Sequence, residues 1–217
     1  MTDNTARRTM MVDTQIRPSD VTKFPIIEAM LTVPRERFVP DAARDTAYMG
    51  EHVDLGGGRV VLDPRVFAKL LDSIDIQPDQ MVLDLGCGLG YSSAVLSRLA
   101  EAVVAVEDDA AMASEAETLL GDISADNVAV IEGPLTEGAP QHGPYDAIVV
   151  QGGVQDIPAR LTDQLKEGGK IGCVFMEGVL GVCRIGLKTD GKITWRYAFN
   201  ATAPVVPGFE HEPAFQF

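Results

Sequence analysis

Residues 82–93 constrain the fold of this chain more than any other stretch. An apolar run ends in an acid at Asp84, three glycines follow at alternate positions, and a helical pattern resumes at Ala94. This order predicts a strand, a tight loop and the start of a helix, because glycine permits sharp turns and a close approach of the backbone to a ligand. The first N–H groups of a helix lack intrahelical partners and favour negatively charged groups. The stretch therefore predicts a site that cradles a nucleotide-like small molecule.

Two cofactor classes compete for this loop. A dinucleotide fingerprint requires a third small residue three positions after the second glycine, and Tyr91 stands there instead. The spacing Asp84-x-Gly86-x-Gly88-x-Gly90 is similar to motif I of Rossmann-like methyltransferases that use S-adenosylmethionine. Glu107 ends the next apolar run, where either class would place an acid that accepts hydrogen bonds from both ribose hydroxyls.

Charge and composition narrow the range of functions. The chain of 217 residues carries a formal net charge of −14, which argues against nucleic-acid binding because that requires a basic surface. The three cysteines have no metal-ligand spacing, and the three histidines lie too far apart in sequence to suggest a metal site. No apolar run approaches the roughly 18 residues that a membrane helix needs, and residues 1–4 do not resemble a signal sequence. These features favour a reduced, cytoplasmic protein.

The chain order predicts an α/β fold. From Met81 onward, apolar strands alternate with helical segments, and strands are expected near residues 102–107, 128–132, 146–150 and 170–175. Such alternation indicates a mostly parallel, doubly wound sheet with helices on both faces. The turn Thr189-Asp190-Gly191 between residues 180–188 and 192–199 predicts an antiparallel hairpin at the sheet edge. We treat residues 1–217 as one domain, with a helical appendage at 1–75 and the core at 76–217.

Several elements are expected in the appendage. Ser19-Asp20 could cap a helix, but Pro25 moves the expected start towards Thr22 or Lys23, and Pro34 ends it. A short helix is expected at residues 41–48. Residues 65–74 should form a helix with Asp63 as N-cap, and residues 56–58 could act as the hinge of a lid.

Four segments in the same order resemble protein-L-isoaspartate O-methyltransferases. They are the proline-bracketed residues 33–40, the glycine loop, residues 144–148 and residues 157–169. The resemblance extends from about residue 16 to about residue 208. It implies a Rossmann-like methyltransferase fold and methyl transfer from S-adenosylmethionine, with S-adenosylhomocysteine as product. The acceptor would be the carboxylate of an isoaspartyl residue in a damaged protein, whose ester collapses to a succinimide that reopens partly to aspartate.

The resemblance also implies a set of site residues. Cofactor contacts are expected from the glycine loop and from the residues at the ends of the predicted strands 102–107, 128–132 and 146–150. These residues are Asp84, Gly86, Cys87, Gly88, Gly90, Tyr91, Ser92, Glu107, Asp108, Gly133, Pro134, Leu135 and Gln151. Substrate contacts are expected from Val60, Val61, Leu62, Asp63 and Gly152. No catalytic base is expected, since a carboxylate is already ionised at neutral pH, and catalysis would consist mainly of alignment. The sequence does not predict an oligomeric state.

Three departures from the family pattern keep alternatives open. The family has a Thr-Ile-Ser-x-Pro segment where this chain has residues 60–64, so Leu62 replaces the hydroxyl residue and Asp63 adds a negative charge. A Gly-Asp-Gly is missing near residue 133, and Gln151-Gly152-Gly153 stands where the family usually has a small or hydroxyl residue followed by alanines. The chain could therefore be a methyltransferase with another acceptor, or a cofactor-binding module without transfer activity; a nicotinamide-dependent oxidoreductase is a more distant alternative.

Some site residues also have purely structural interpretations. Asp63 could be an N-cap only, and residues 61 and 62 could be core. Glu107 could be a solvated acid at a strand end. Asp84 could cap the glycine loop through its N–H groups or orient the methionine ammonium of the cofactor.

Overall fold

The fold is built on a seven-stranded sheet, and the glycine loop lies at the carboxyl ends of its parallel strands. The structure is a computed structural model that describes residues 3–211. The strands are β1 Val53–Gly56, β2 Arg59–Val61, β3 Met81–Leu85, β4 Ala102–Glu107, β5 Val128–Glu132, β6 Tyr145–Val154, β7 Leu165–Glu177, β8 Leu180–Thr189 and β9 Lys192–Asn200. The α-helices are α1 Asn4–Met11, α2 Phe24–Thr32, α3 Pro64–Ile74, α4 Tyr91–Leu96, α5 Ala110–Asp122 and α6 Ala159–Thr162.

The sheet order is β5-β4-β3-β6-β7-β8-β9. The first five strands in this order are parallel, whereas β8 and β9 are antiparallel to their neighbours. The chain reverses its direction of winding between β3 and β6, so a crevice is expected outside the carboxyl ends of these strands. The predicted α/β fold with a mostly parallel sheet is confirmed.

The C-terminal hairpin forms where it was predicted. Asp190 (φ 51°) and Gly191 (φ 72°) both adopt left-handed conformations between β8 and β9. Two such residues are typical of a type I′ turn, whose twist matches that of the paired strands.

The described chain is helical from its beginning, although no helix was predicted before Ser19. Residues 4–11 form α1, with the side chain of Asp3 as its cap, and a π-helical turn follows at Val12–Ile16. Helix α2 begins at Phe24, close to the expected start, whereas Ser19 ends a 3₁₀ turn and caps no helix. The expected helix at 41–48 is a 3₁₀ helix over Asp41–Thr46.

Two hydrophobic cores lie on the two faces of the sheet. Val82 faces one core and its neighbours Leu83 and Leu85 face the other, as expected for alternating side chains of a strand. The first core also contains Met11 and Phe38 from the amino-terminal part. This shared core supports the treatment of residues 1–75 as an appendage on the sheet, and the domain division stays a prediction. Between residues 3 and 211, no helix is both long and apolar enough to cross a membrane.

Candidate functional site

The glycine loop connects the end of β3 to α4 at the carboxyl edge of the sheet. Gly86 (φ 75°), Gly88 (φ 55°) and Gly90 (φ 94°) all have left-handed backbone conformations, which other residues adopt only with strain. A Cβ atom at Gly90 would also lie 3.3 Å from the Cβ atom of Ala116 in α5. The alternate glycines are therefore required by the turn and by its packing.

Asp84, at the end of β3, is connected to the start of α4 and to β6 by side-chain hydrogen bonds. Its carboxylate accepts hydrogen bonds from the hydroxyl groups of Ser92 and Ser93, each at 2.6 Å, and from the Gln151 amide at 2.7 Å. Among the described residues, no N–H group of the loop donates to it. The loop-capping interpretation of Asp84 therefore has no support here, and orientation of a ligand ammonium stays a prediction.

Asp84 is a fully buried acid with no cationic partner in the described chain. Burial raises its pKa above the ordinary value of an aspartate, and the three hydrogen bonds from Ser92, Ser93 and Gln151 oppose this shift. The charge of Glu107 adds to the rise. A buried ionised carboxylate destabilises a fold, so this group is more easily explained by ligand binding than by stability.

Glu107 ends β4 beside the loop. It is completely buried, so the interpretation as a solvated acid is wrong. Its Oε2 accepts the N–H of Gly88 at 2.8 Å, and its Oε1 accepts the N–H groups of Asp108 and Asp109 at 3.0 and 3.2 Å. Burial raises the pKa of Glu107, while the Arg59 guanidinium, followed by the Gly88 N–H, lowers it.

Arg59 makes ionic contacts with both Glu107 and Asp108 at the carboxyl ends of the strands. Its Nε donates to Glu107 Oε1 at 3.0 Å, and its Nη2 donates to Asp108. The Arg59 side chain is only 2% exposed, and its Nη1 has no hydrogen-bond partner among the described residues. Arg59 therefore bonds the carboxylate of Glu107, which was expected to accept hydrogen bonds from the ribose hydroxyls.

The cavity beside the loop is nearly filled by the chain itself. It measures about 10 Å³ and is lined by Val60, Val61, Leu62, Phe67, Cys87, Tyr91, Ser92 and Gln151. Pockets for small molecules usually enclose roughly 300–1,000 Å³. The polar groups fit S-adenosylmethionine, since an acid at a strand end, main-chain glycines and a helix start are in place. The side chains of Leu55 and Arg59 lie against the same glycines, 2.5 Å from the Cβ position of Gly88 and 3.8 Å from that of Gly86.

Three of the residues that were expected to contact the acceptor share the wall of this small cavity with the glycine loop. Val60, Val61 and Leu62 are buried and belong to the first core. Asp63 caps α3, with its Oδ1 accepting the N–H groups of Arg65 at 2.7 Å and Val66 at 3.1 Å. The N-cap interpretation of Asp63 is confirmed, and a contact with substrate stays a prediction.

Arg35 fixes the backbone of this acceptor segment from the appendage. Its guanidinium is fully buried and donates to the carbonyl groups of Ala47 at 2.6 Å and Leu62 at 2.8 Å. It also lies 4.9 Å from the centre of the Tyr91 ring, a distance typical of a cation–π contact. The proline-bracketed segment thus connects the glycine-loop helix to residues 61 and 62.

The segment after β9 covers the end of β6. Gly153 pairs with Val205, and a Cβ atom at Gly152 would clash with the Val206 side chain. Gly152 therefore lies against this returning segment, and its expected contact with the substrate stays a prediction. Gln151, in contrast, lies in the cavity wall and bonds Asp84.

The remaining expected cofactor residues follow β5 or lie within the loop. The Gly133 N–H donates to the Glu107 carbonyl at 3.0 Å, and Leu135 packs 3.5 Å from the Cβ position of Gly86. Pro134 lies between them in the chain. Burial raises the pKa of the Cys87 thiol well above its ordinary value, so its backbone is the part available for function. No group of His, Cys, Asp and Glu within residues 3–211 could hold a metal ion.

Sequence reasoning missed Arg59, Arg35 and Leu55. Arg59 is the only charged residue between the glycine run and Asp63, and a lone arginine in an apolar run next to a buried acid was the available signal. Leu55 gave no signal, because its contact with the loop depends on the hairpin formed by β1 and β2.

Comparison with known proteins gives a consistent match. The chain matches the family model for protein-L-isoaspartate(D-aspartate) O-methyltransferase over residues 6–193. The protein-L-isoaspartate O-methyltransferase of Syntrophus aciditrophicus is 38% identical over 165 residues, which are 76% of each chain. That of Opitutus terrae is 35% identical over 167 residues, or 77% of this chain and 72% of the relative.

Solved structures agree on the fold. A protein-L-isoaspartate O-methyltransferase superposes with a TM-score of 0.79 at 23% identity, covering 95% of this chain and 66% of that chain. A Plasmodium falciparum protein, described as a beta-aspartate methyltransferase in complex with S-adenosyl-L-homocysteine, superposes with a TM-score of 0.78 at 19% identity, covering 92% and 97%. At these identities the superpositions establish the fold alone.

Proposed function

The chain belongs to the protein-L-isoaspartate(D-aspartate) O-methyltransferase family, and we propose that it methylates the side-chain carboxylate of isoaspartyl residues with S-adenosylmethionine. The observation that carries this proposal is the family match over residues 6–193. This range includes both the glycine loop and the acceptor segment at residues 60–63. The substrate is accordingly a protein or peptide that contains an isoaspartyl residue.

The cofactor is assigned to the glycine loop and the neighbouring strand ends. Glu107 would accept the ribose hydroxyls, and Asp84 would face the methionine ammonium. The glycine main chain would lie against the nucleoside, next to Asp108 and residues 133–135. The sulfonium of the bound cofactor supplies an activated methyl group, so the protein needs to provide no electrophile of its own.

The protein's part in the reaction is alignment. An isoaspartyl carboxylate is ionised at neutral pH, so no side chain has to remove a proton from it. Placing an oxygen in line with a methyl donor at near-attack distance can supply most of the acceleration of such a reaction. Leu62 offers no hydroxyl for this task, and alignment of the acceptor is therefore assigned to main-chain groups and to the shape of the segment that Arg35 holds.

The biological role that follows is repair of damaged proteins. The neighbouring main-chain nitrogen would attack the ester carbonyl carbon and close a succinimide, and the methoxy group would leave as methanol with the proton of that nitrogen. Water would then open the succinimide partly to aspartate. A cytoplasmic location is also part of this proposal, and it rests on three buried cysteines that form no disulfide. The alternatives of another acceptor, or of binding without transfer, are not favoured by the family match.

Product analysis tests the proposal. The protein is incubated with S-adenosylmethionine and an isoaspartyl peptide, and the peptide is followed by mass spectrometry. We expect a species heavier by one methylene, followed by a succinimide and then aspartyl peptide. The control peptide carries the side-chain amide in place of the carboxylate and should not change. A stable methylated product, or methylation of the control, would contradict an ester on the isoaspartyl carboxylate.

A further inference from the structure

The hairpin of β1 and β2 reaches into the glycine loop from the appendage side. Its turn consists of Gly56 (φ 85°), Gly57 (φ 58°) and Gly58 (φ 77°), all in left-handed conformations. Cβ atoms at Gly56 or Gly57 would meet no described residue within 4 Å, whereas a Cβ atom at Gly58 would lie 3.0 Å from the Pro207 side chain. The tip is thus unpacked at Gly56 and Gly57, and these two glycines allow the backbone to change conformation at low cost.

Arg59 follows directly after this turn and forms the strongest contact of the hairpin with the core. It bonds two acids, Glu107 and Asp108, while one of its own nitrogen atoms, Nη1, is buried and has no hydrogen-bond partner within residues 3–211. A buried polar atom without a partner costs free energy. The closed arrangement is therefore held by an ion pair, but one buried nitrogen of Arg59 remains without a hydrogen bond among the described residues.

Leu55 makes the second contact. Its Cδ1 lies 2.5 Å from the position of a Cβ atom at Gly88, so the leucine packs directly on the glycine main chain. Leu55 and Arg59 together cover the loop and one face of Glu107. These are the same surfaces that a nucleoside would use in the proposed cofactor site, namely the glycine main chain and the Glu107 carboxylate.

We propose that the β1–β2 hairpin is a self-occluding latch, in which Arg59 and Leu55 hold the place of the adenosine and must withdraw before S-adenosylmethionine binds. The inference rests on the proposed cofactor site and adds a regulatory step to it. Binding energy of the cofactor is then partly spent on releasing Arg59 from Glu107. The apparent dissociation constant exceeds the intrinsic one by the reciprocal of the open fraction.

Main-chain groups should hold the Glu107 carboxylate in place when Arg59 is replaced. Its two oxygens keep three main-chain N–H groups, from Gly88, Asp108 and Asp109. Removing the arginine should therefore leave the carboxylate in position and free the side that faces a ribose. This separates a latch from a cofactor ligand, because the two roles predict opposite effects of the same substitution.

The test is titration calorimetry with S-adenosylhomocysteine, together with stopped-flow measurement of its association rate. We expect Arg59→Ala to bind about tenfold more tightly, which corresponds to a latch closed about ten times more often than open. The gain should appear in the association rate. Arg44→Ala is the matched control, since it removes an exposed ion pair with Asp41 in the appendage, and it should bind as the parent does.

A second variant covers the case in which Arg59→Ala does not fold. Leu55 is only partly buried, so Leu55→Ala should fold and should also bind more tightly and faster. Weaker or unchanged binding by both variants, with the parent still binding, would overturn the latch and leave the methyltransferase assignment intact. Absence of binding by the parent and by every variant would overturn the cofactor site and the latch with it.

Discussion

Asp84 shows the conflict between stability and function at the scale of one residue. Its carboxylate is buried, and the groups that bond it are three neutral side chains. Because burial raises its pKa in the folded state, the folded protein binds a proton at this site more readily than the unfolded chain does. Its contribution to stability is therefore most favourable below the unfolded pKa and is lost as the pH rises through the folded pKa.

We predict that Asp84→Asn stabilises the fold at pH 7 and weakens the binding of S-adenosylhomocysteine. The amide keeps the size of the side chain, and the Gln151 amide can turn to accept from it. A gain of about 1 kcal/mol would raise Tm by roughly 2–4 °C for a chain of this length. Thermal unfolding with and without ligand measures both effects, and Asp79→Asn on the exposed surface is the control. The gain should shrink as the pH falls towards about 4; a lower Tm at pH 7 would contradict this account.

Leu62 is the residue where the chain differs most clearly from the family pattern. It is 2% exposed and packs in the first core. We predict that Leu62→Ser lowers the free energy of unfolding by about 2–4 kcal/mol, the range for truncating a buried leucine. It should also raise kcat/KM for an isoaspartyl peptide about tenfold, because a hydrogen bond to a charged group contributes about 1.5–3 kcal/mol.

Leu62→Ala separates these two effects. It removes the same packing without adding a hydroxyl, so it should lose stability with no gain in kcat/KM. Equal rates for the serine and alanine variants in a peptide methylation assay would show that a hydroxyl at this position does not contact the acceptor.

At the residue scale, local interactions could be predicted and distant ones could not. The N-cap role of Asp63 follows from its place before Pro64, because capping involves only the next few residues. The partner of Glu107 lies 48 residues away at Arg59, and its identity depends on a hairpin that no local pattern indicated. The sequence therefore predicted the acids of the candidate site and missed the arginines that contact it.

The proline-bracketed segment acts at the scale of elements. The buried guanidinium of Arg35 connects three pieces of chain, namely the turn at Ala47, the acceptor segment at Leu62 and helix α4 through Tyr91. Burial lowers the pKa of Arg35, and no carboxylate bonds it among the described residues. Its charge is balanced by carbonyl dipoles and an aromatic face, so its removal leaves several buried acceptors without donors.

We predict that Arg35→Ala lowers the free energy of unfolding by about 3–5 kcal/mol, as expected when a buried polar network is broken. Arg35→Lys keeps the positive charge but loses the planar guanidinium that donates several hydrogen bonds at once. This variant should be less stable than the parent but should still fold. In this variant kcat/KM for the isoaspartyl peptide should fall more than cofactor affinity, because Leu62 is no longer fixed. Urea unfolding and steady-state kinetics measure the two effects; a cofactor affinity that falls as far as kcat/KM would argue against a role at the acceptor side.

Element types were more predictable than element lengths. Strand β5 has the bounds that the sequence predicted, whereas β6 and β7 extend beyond the expected residues 146–150 and 170–175. Gly152 and Gly153 lie within β6, and Gly168 and Gly169 lie within β7. At Gly153 close packing requires a glycine, since a Cβ atom there would lie 2.6 Å from the Ala203 carbonyl oxygen. That requirement comes from a segment 50 residues later in the chain.

The molecule as a whole is strongly acidic. Its formal net charge of −14 creates a negative potential that affects the approach of charged substrates. The mostly parallel arrangement of the sheet followed from the βα alternation, whereas the strand order was not predicted from the sequence. The distribution of charge around the site did not follow from composition.

We predict that isoaspartyl peptides with lysine-rich flanks have a lower KM than peptides with glutamate-rich flanks. The difference should be largest at low salt and should nearly disappear at 1 M salt, where the screening length falls to about 3 Å from about 10 Å at 0.1 M. Initial rates over a salt series, with a neutral-flank peptide as control, measure it. A preference for acidic flanks at low salt would contradict the expected steering.

The most direct test of the central claim is the initial rate of labelled methyl transfer from S-adenosylmethionine to two peptides that differ only in having isoaspartate or aspartate at one position. The family match and the site at the carboxyl edge predict rapid labelling of the isoaspartyl peptide and none of the aspartyl peptide. Equal labelling of the two peptides, or labelling of neither by protein that binds S-adenosylhomocysteine, would contradict the assignment of this chain as an isoaspartyl methyltransferase.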